Sequence, residues 1–224
     1  ARDARISLVE AADRLLLPFP EKLSGYAADK LRLMGVEVMF ARKVTSANGT
    51  EVELDSSTTI ASRTLFWSAG VCAAPLATML GVKQGPGGRI PVEPDLSIKG
   101  HPDVFVIGDM AYLLQDGSPL PMVAPVAMQM GIYAARTILA REWGRAVHPF
   151  RYHDKGSMAT IGRSAAVAST HGFDLKGYPA WLAWLLLHLY YLIGFRNRIL
   201  VLLNWAWYYW FHERQVRLIT ERED

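Results

Sequence analysis

Two carboxylates in this chain stand where a strand-like run ends, and both are placed to receive hydroxyl groups. Asp109 closes the run V-F-V-I-G-D that begins at Val104. Val104 to Ile107 is wholly apolar and rich in β-branched residues, which suits a buried strand of a parallel sheet whose carboxyl end opens onto a ligand crevice. Gly108 lets the backbone approach a ligand closely, and the Asp109 carboxylate accepts hydrogen bonds from the hydroxyls of a sugar or sugar alcohol. Glu10 ends a second run, R-I-S-L-V-E from Arg5. In a dinucleotide-binding unit an acid at the end of the second strand bonds the adenosine ribose and repels a 2′-phosphate, which selects NADH over NADPH. An ordinary strand-end glutamate reads the same way, because no G-x-G-x-x-G precedes it and G-P-G-G at 85–88 lacks the spacing.

The elements that must hold these groups follow from punctuation and period. Pro125 suits the first turn of a helix running from about Val126 to Trp143, whose free N–H groups and positive dipole end face whatever Asp109 holds. A helix from Pro20 to Met34 has Leu23, Ala27, Leu31 and Met34 along one face and Gly35 as its C-cap. Val36–Ala41 reads as a strand, Val44–Leu54 as a hairpin turning at Asn48-Gly49, and Ile60–Trp67 as a strand closing into Ser68-Ala69-Gly70. The small residues Ala69 and Gly70 admit a nicotinamide or flavin close to the backbone. This order matches the later half of an NAD-binding domain. Residues 71–100 are loop-rich and read as the crossing into a second domain. Two short strands are expected at 157–161 and 164–169, turning at Gly162-Arg163, and Lys155 ahead of them is either a cation near the flavin or a solvated turn lysine.

Composition narrows the class. The chain has 224 residues, 51% of them hydrophobic, and a formal net charge of +3 without any Lys/Arg block, so no nucleic-acid partner is expected. The single Cys72 excludes an internal disulfide, a C-x-x-C redox pair and a cysteine zinc cluster, and reads as a small packing residue. His148, His153 and His171 have no metal-ligand spacing, so no metal is expected. With no initiator Met and no glycine loop, the chain is expected to be the C-terminal part of a longer protein.

The segment 178–211 differs in kind. Five of the seven tryptophans lie in it, at Trp181, Trp184, Trp205, Trp207 and Trp210, with five tyrosines. Two apolar runs flank Arg196-Asn197-Arg198, and neither reaches the ~20 residues that span a bilayer. Both are apolar nearly all round, Trp and Tyr favour the membrane interface, and Arg196, Arg198, Arg214 and Arg217 can meet lipid phosphates. Two short helices in one leaflet are expected; a homodimer interface would use the same surface.

V-F-V-I-G-D-M-A with its following helix resembles the second FAD motif of flavoproteins built from two dinucleotide-binding domains. L-V-E-A-A-D-R-L-L-L-P-F-P, W-S-A-G-V, V-A-P-V-A-M-Q-M-G, Y-H-D-K-G-S-M-A-T-I-G-R and the aromatic tail together resemble the type II NADH dehydrogenases, the non-pumping NADH:quinone oxidoreductases. The resemblance implies an α/β fold, a partial pair of Rossmann-like dinucleotide-binding domains of the three-layer flavin reductase type with a C-terminal membrane-associated helical segment. It divides the chain into an NADH-binding part (1–66), an FAD-binding part (67–148) and a β hairpin with membrane-anchoring amphipathic helices (149–224). It implies that Gly108, Asp109, Val126 and Ala127 bind FAD, Asp109 through the ribitol. Glu10 then binds the NADH ribose, while Ala69 and Gly70 line the nicotinamide side. The family's A-Q-x-A-x-Q quinone motif falls on Ala124–Gln129, with Pro125 replacing the first glutamine and Gln129 keeping the second. Pro125, Met128, Gln129, Lys155 and Met158 are the implied quinone walls. The implied location is peripheral, on the cytoplasmic face of the inner (plasma) membrane, with NADH, a membrane quinone and the lipid surface as partners. A soluble ferredoxin- or rubredoxin-type flavin reductase, or a non-enzymatic membrane-binding fragment, are the rival readings.

Overall fold

The chain begins with a β-α-β unit in the computed structural model, which describes residues 4–170 and 172–211. Strand β1 (Ile6–Val9) pairs in parallel with β2 (Val36–Met39), joined by helix α1 (Glu21–Leu33). Pro20 precedes the first turn of α1, where its missing N–H costs nothing, and Gly35 follows its end at φ 86°. The hairpin at Asn48-Gly49 forms between β3 (Val44–Ala47) and β4 (Glu51–Leu54), and β5 (Thr58–Ala61) adds antiparallel to β4. The expected strand Ile60–Trp67 therefore leaves the ladder at Ala61, and Leu65, Phe66 and Trp67 are exposed.

Next come a short helix α2 (Leu76–Met79), β6 (Ile90–Pro91), β7 (Ser97–Ile98) and β8 (His101–Phe105). The run at Val104 departs from expectation: β8 pairs antiparallel with β7 rather than in parallel, and Val104 and Ile107 are 39% and 40% exposed. The chain reverses at Lys99-Gly100, with Gly100 at φ 81°, and that local reversal sets the pairing direction. Of the run only Val106 is buried, with Phe105 half-buried against the same core. Strand β9 (Ala111–Tyr112) pairs in parallel with β6, β10 (Leu114–Gln115) with β11 (Ser118–Pro119), and helix α3 follows over Ala124–Glu142.

Strands β12 (Ser157–Thr160) and β13 (Ala166–Thr170) form the expected pair, and a third, β14 (Phe173–Gly177), extends the sheet. Helices α4 (Tyr178–Tyr191) and α5 (Phe195–Phe211) complete the described chain. His171, Arg214 and Arg217 lie outside the described residues.

The chain forms two compact units, Thr64–Lys155 and the remainder on either side of it. In the Thr64–Lys155 unit, α3 buries Val126 and Met130 against Ile90, Leu96, Val106, Ala111, Phe150 and Tyr152. In the other, α1 and the loop before it bury Leu15, Phe19, Leu23, Ala27 and Ala28 against Ile161, Ala165 and Val167 of the C-terminal sheet. The Lys22 ammonium meets Asp174 of β14 at 2.8 Å, tying α1 to the same sheet.

Candidate functional site

Gly108, Asp109 and Met110 form a single 3-10 turn directly after the apolar run. Gly108 is at φ 66°, and a Cβ on it would stand 3.3 Å from the Ala127 Cβ, so glycine lets this turn seat on the first turns of α3. Its N–H donates to the Met130 Sδ at 3.2 Å, one turn further along the helix. Asp109 is exposed and, among the described residues, accepts no hydrogen bond. The start of α3 is similarly open. No side chain caps it, Val123 at the N-cap is extended, and Pro125 brings no N–H. Val126 is buried, while Ala127 and Pro125 are half-buried at the mouth of this turn.

Beneath Asp109 lies a residue that no sequence pattern announced. Arg89 is 6% exposed; its Nε donates to the Ala111 carbonyl at 2.8 Å and its Nη2 to the Leu120 carbonyl at 3.0 Å. It thereby fastens both ends of the excursion from β9 to the start of α3. Burial pulls its pKa down, while the nearby Tyr112 and Asp109 push it up. A guanidinium keeps its proton under such conditions, so a fixed positive charge underlies the site.

Around the turn, Met128 is 53% exposed on α3, and Gln129 bonds the main chain of His153 through both ends of its carboxamide. Lys155 is exposed, and Ala69 and Gly70 are exposed in the loop after Ser68, Gly70 at φ 108°. Gly108, Asp109, Pro125, Val126, Ala127, Met128, Gln129, Lys155, Ala69 and Gly70 thus share the Thr64–Lys155 unit. Glu10 and Met158 belong to the other. Glu10 stands at the carboxyl end of the parallel β1–β2 pair, its Oε1 accepting the Ala12 N–H at 2.9 Å. The loop after it is held by Arg14, which donates to the Phe19 and Leu17 carbonyls and to the Ser24 Oγ. Met158 is half-buried against Ala166, Ala168 and Ala180.

The C-terminal helices run antiparallel, with the Trp181 ring tilted against Tyr209 (5.5 Å between ring centroids) and Trp184 stacked near Trp205 (6.0 Å). Arg163 donates to the Tyr208 and Tyr209 carbonyls and fixes the base of this hairpin to the β12–β13 turn. At the far end Arg198 donates to the Leu192 and Tyr190 carbonyls, so its guanidinium caps α4, whereas Arg196 is exposed. Trp207 and Trp210 are exposed on α5. Among the described residues no helix is long and apolar enough to cross a membrane.

Residues 1–131 match the family model for pyridine nucleotide-disulphide oxidoreductase, and residues 154–213 match that for the NDH2 C-terminal domain. The type II NADH:quinone oxidoreductase Ndh of Mycobacterium tuberculosis is 43% identical over 214 residues, covering 91% of this chain and 45% of that protein. That of Staphylococcus haemolyticus is 36% identical, covering 79% of this chain and 45% of its own. The chain thus spans less than half the length of these relatives. The structure of NDH2 from Plasmodium falciparum in complex with NADH superposes with a TM-score of 0.83 at 15% identity, over 95% of this chain and 59% of that one, a likeness of fold. The α/β dinucleotide-binding fold is therefore established, and the chain belongs to the pyridine nucleotide-disulphide oxidoreductase family, carrying the C-terminal domain of its type II NADH dehydrogenases.

Proposed function

We propose that this chain contributes to an FAD-dependent NADH:quinone oxidoreductase that works at a membrane surface without pumping protons. The observation that carries the reading is the Gly108-Asp109 turn, with its free carboxylate, seated on the uncapped end of α3. FAD fits there: Asp109 has acceptors to offer a ribitol, Gly108 leaves room for close approach, and the helix end presents positive charge. FAD, when bound, supplies the two-electron carrier for the net reaction NADH + H⁺ + quinone → NAD⁺ + quinol.

The residues of this chain bind and orient. Asp109 holds the ribitol, Val126 and Ala127 wall the flavin side, and the start of α3 stabilises negative charge that develops near it. Glu10 accepts the ribose hydroxyls of NADH and repels a 2′-phosphate, and Ala69 and Gly70 border the nicotinamide. Residues 1–66 thus serve NADH, 67–148 serve FAD, and 149–224 serve the quinone and the lipid. Pro125, Met128, Gln129 and Lys155 border the quinone's approach. The exposed apolar hairpin of α4 and α5, with Trp181, Trp184, Trp205, Trp207, Trp210 and Arg196, rests in one leaflet on the cytoplasmic side, where a long-tailed quinone is dissolved.

The test is NADH oxidation by membranes carrying the complete gene product, with a short-chain quinone added or withheld. Quinone-dependent oxidation of NADH, with little from NADPH, is the expected result. A yellow protein that ignores quinone and reduces ferredoxin would establish the soluble reductase instead, and a colourless membrane-bound one would leave lipid binding alone.

A further inference from the structure

The segment leading to Lys155 has no strand or helix of its own, yet it is extended and firmly held. Phe150 and Tyr152 alternate inward into the core while Arg151 and His153 face out, the period of a strand. A strand needs partners for its main chain, and here they are supplied one residue at a time. The Phe150 N–H donates to the Pro94 carbonyl at 2.7 Å, and the Tyr133 hydroxyl donates to the His148 carbonyl. The Tyr152 N–H donates to the Gln115 Oε1 at 2.8 Å, and the Gln115 Nε2 returns a bond to the Tyr152 carbonyl at 3.1 Å. The His153 N–H donates to the Gln129 Oε1 at 3.0 Å, and the Gln129 Nε2 returns to the His153 carbonyl at 2.9 Å.

This is the pattern of a β-ladder with its strands replaced by carboxamides. In an extended chain the N–H and C=O of one residue point to the same side, and those of the next residue to the opposite side. Two glutamines reaching from two elements, β10 and α3, therefore flank the segment on both edges, each satisfying one residue completely. Only a carboxamide offers a donor and an acceptor at the spacing this requires.

We propose that Gln115 and Gln129 are positioning residues that hold Tyr152 and His153 extended, and so fix where Lys155 stands relative to the start of α3. The functional consequence rests on the reading that this end of α3 faces the quinone. Gln129 then acts through the main chain of His153 rather than on the quinone head group. Gln115, which sits on β10, acts in the same way on the neighbouring residue.

The test uses the complete gene product loaded with FAD in lipid vesicles. Gln115→Met keeps the side chain's length and removes both bonds. The expected outcome is a quinone KM raised about tenfold, with the NADH–ferricyanide rate within about twofold of wild type. Hydrogen exchange at the Tyr152 amide is expected to quicken about tenfold in the same variant. Gln129→Glu keeps the acceptor for the His153 N–H but sets an oxygen against the His153 carbonyl, and it should raise the quinone KM as well. Should Gln115→Met lower flavin content, Gln115→Glu, which keeps the acceptor for the Tyr152 N–H but sets an oxygen against the Tyr152 carbonyl, must raise the quinone KM just as Gln129→Glu does. A quinone KM that moves with Gln129 but not with Gln115, or unchanged amide exchange in Gln115→Met, would overturn the clamp. A wild type that oxidises no NADH with quinone would overturn the functional reading instead, and amide exchange would still decide whether the glutamines hold the segment.

Discussion

Asp109 and Arg89 set the charge of the proposed flavin site between them. Arg89 is buried and bonded to two carbonyls, and the exposed Asp109 is among the groups that favour its charged form. The turn carrying Asp109 is also pinned, through the Gly108 N–H, to Met130 of α3. A carboxylate placed on a backbone this constrained can offer its oxygens to a ligand at little ordering cost. Asp109→Asn keeps the size and removes the charge, so hydrogen bonds worth about 1.5–3 kcal/mol to a charged acceptor are weakened. FAD affinity of the complete gene product should fall by about tenfold or more, read as visible flavin absorbance per protein after purification and as a titrated Kd. The apo protein's unfolding should hardly move, because the side chain is exposed and unbonded within the described chain. Normal flavin content would dismiss the ribitol role. Asp109 was legible in the sequence because its chemistry sits at the end of a recognisable apolar run. Arg89 was not, since the carbonyls that hold it, at Ala111 and Leu120, are 22 and 31 residues away and leave no local pattern.

At the scale of elements, what could be read locally came out as read. Pro20 and Gly35 bracket α1, Asn48-Gly49 turns the hairpin, and α3 begins around Pro125. What depends on distant partners did not. The apolar run at Val104 says nothing of its partner's direction, and β14, with Phe173 and Lys176 facing outward, carries no clean alternation to announce a strand. Yet β14 matters, because its Asp174 receives the Lys22 ammonium and ties α1 to the C-terminal sheet. The Lys22 bond, helped by one from Ser169, holds the Asp174 carboxyl below its ordinary range. A depressed carboxyl stabilises the folded state above its ordinary value of about 3.9, and that stabilisation is lost as the pH falls through the lower folded-state value. Urea unfolding of wild type and Asp174→Asn should therefore differ most at about pH 6, wild type being the more stable, and the gap should close as the pH is taken below about 4. A gap that persisted in acid would mean that the contact works by packing rather than by charge.

For the molecule as a whole, the feature that most needs explaining is the hairpin of α4 and α5. Its base is bound to the β12–β13 turn through Arg163 and packed through Ala180, while its far end carries Ile193 at 88% and Phe195 at 76% exposure. Among the described residues these helices run 14 and 17 residues, about 21 and 25 Å, short of the ~30 Å hydrocarbon core. On the proposed reading this tip enters lipid. Arg198 and Asn197 donate to the Tyr190, Leu192 and Ile193 carbonyls, so main-chain groups at the turn are already satisfied before water is removed. Arg196 is exposed beside this turn, and on the proposed reading it would meet a headgroup phosphate. Ile193 and Phe195 touch little of the protein, so replacing both by Ser should leave the unfolding midpoint nearly unchanged. Each removes an apolar side chain whose burial is worth about 1.5–3 kcal/mol, so partition into vesicles of mixed neutral and anionic phospholipid should fall by at least about tenfold, measured by co-flotation. Unaltered flotation, together with a dimer that dissociates in the double variant, would assign this surface to a second copy of the chain and take the lipid role away from the tip.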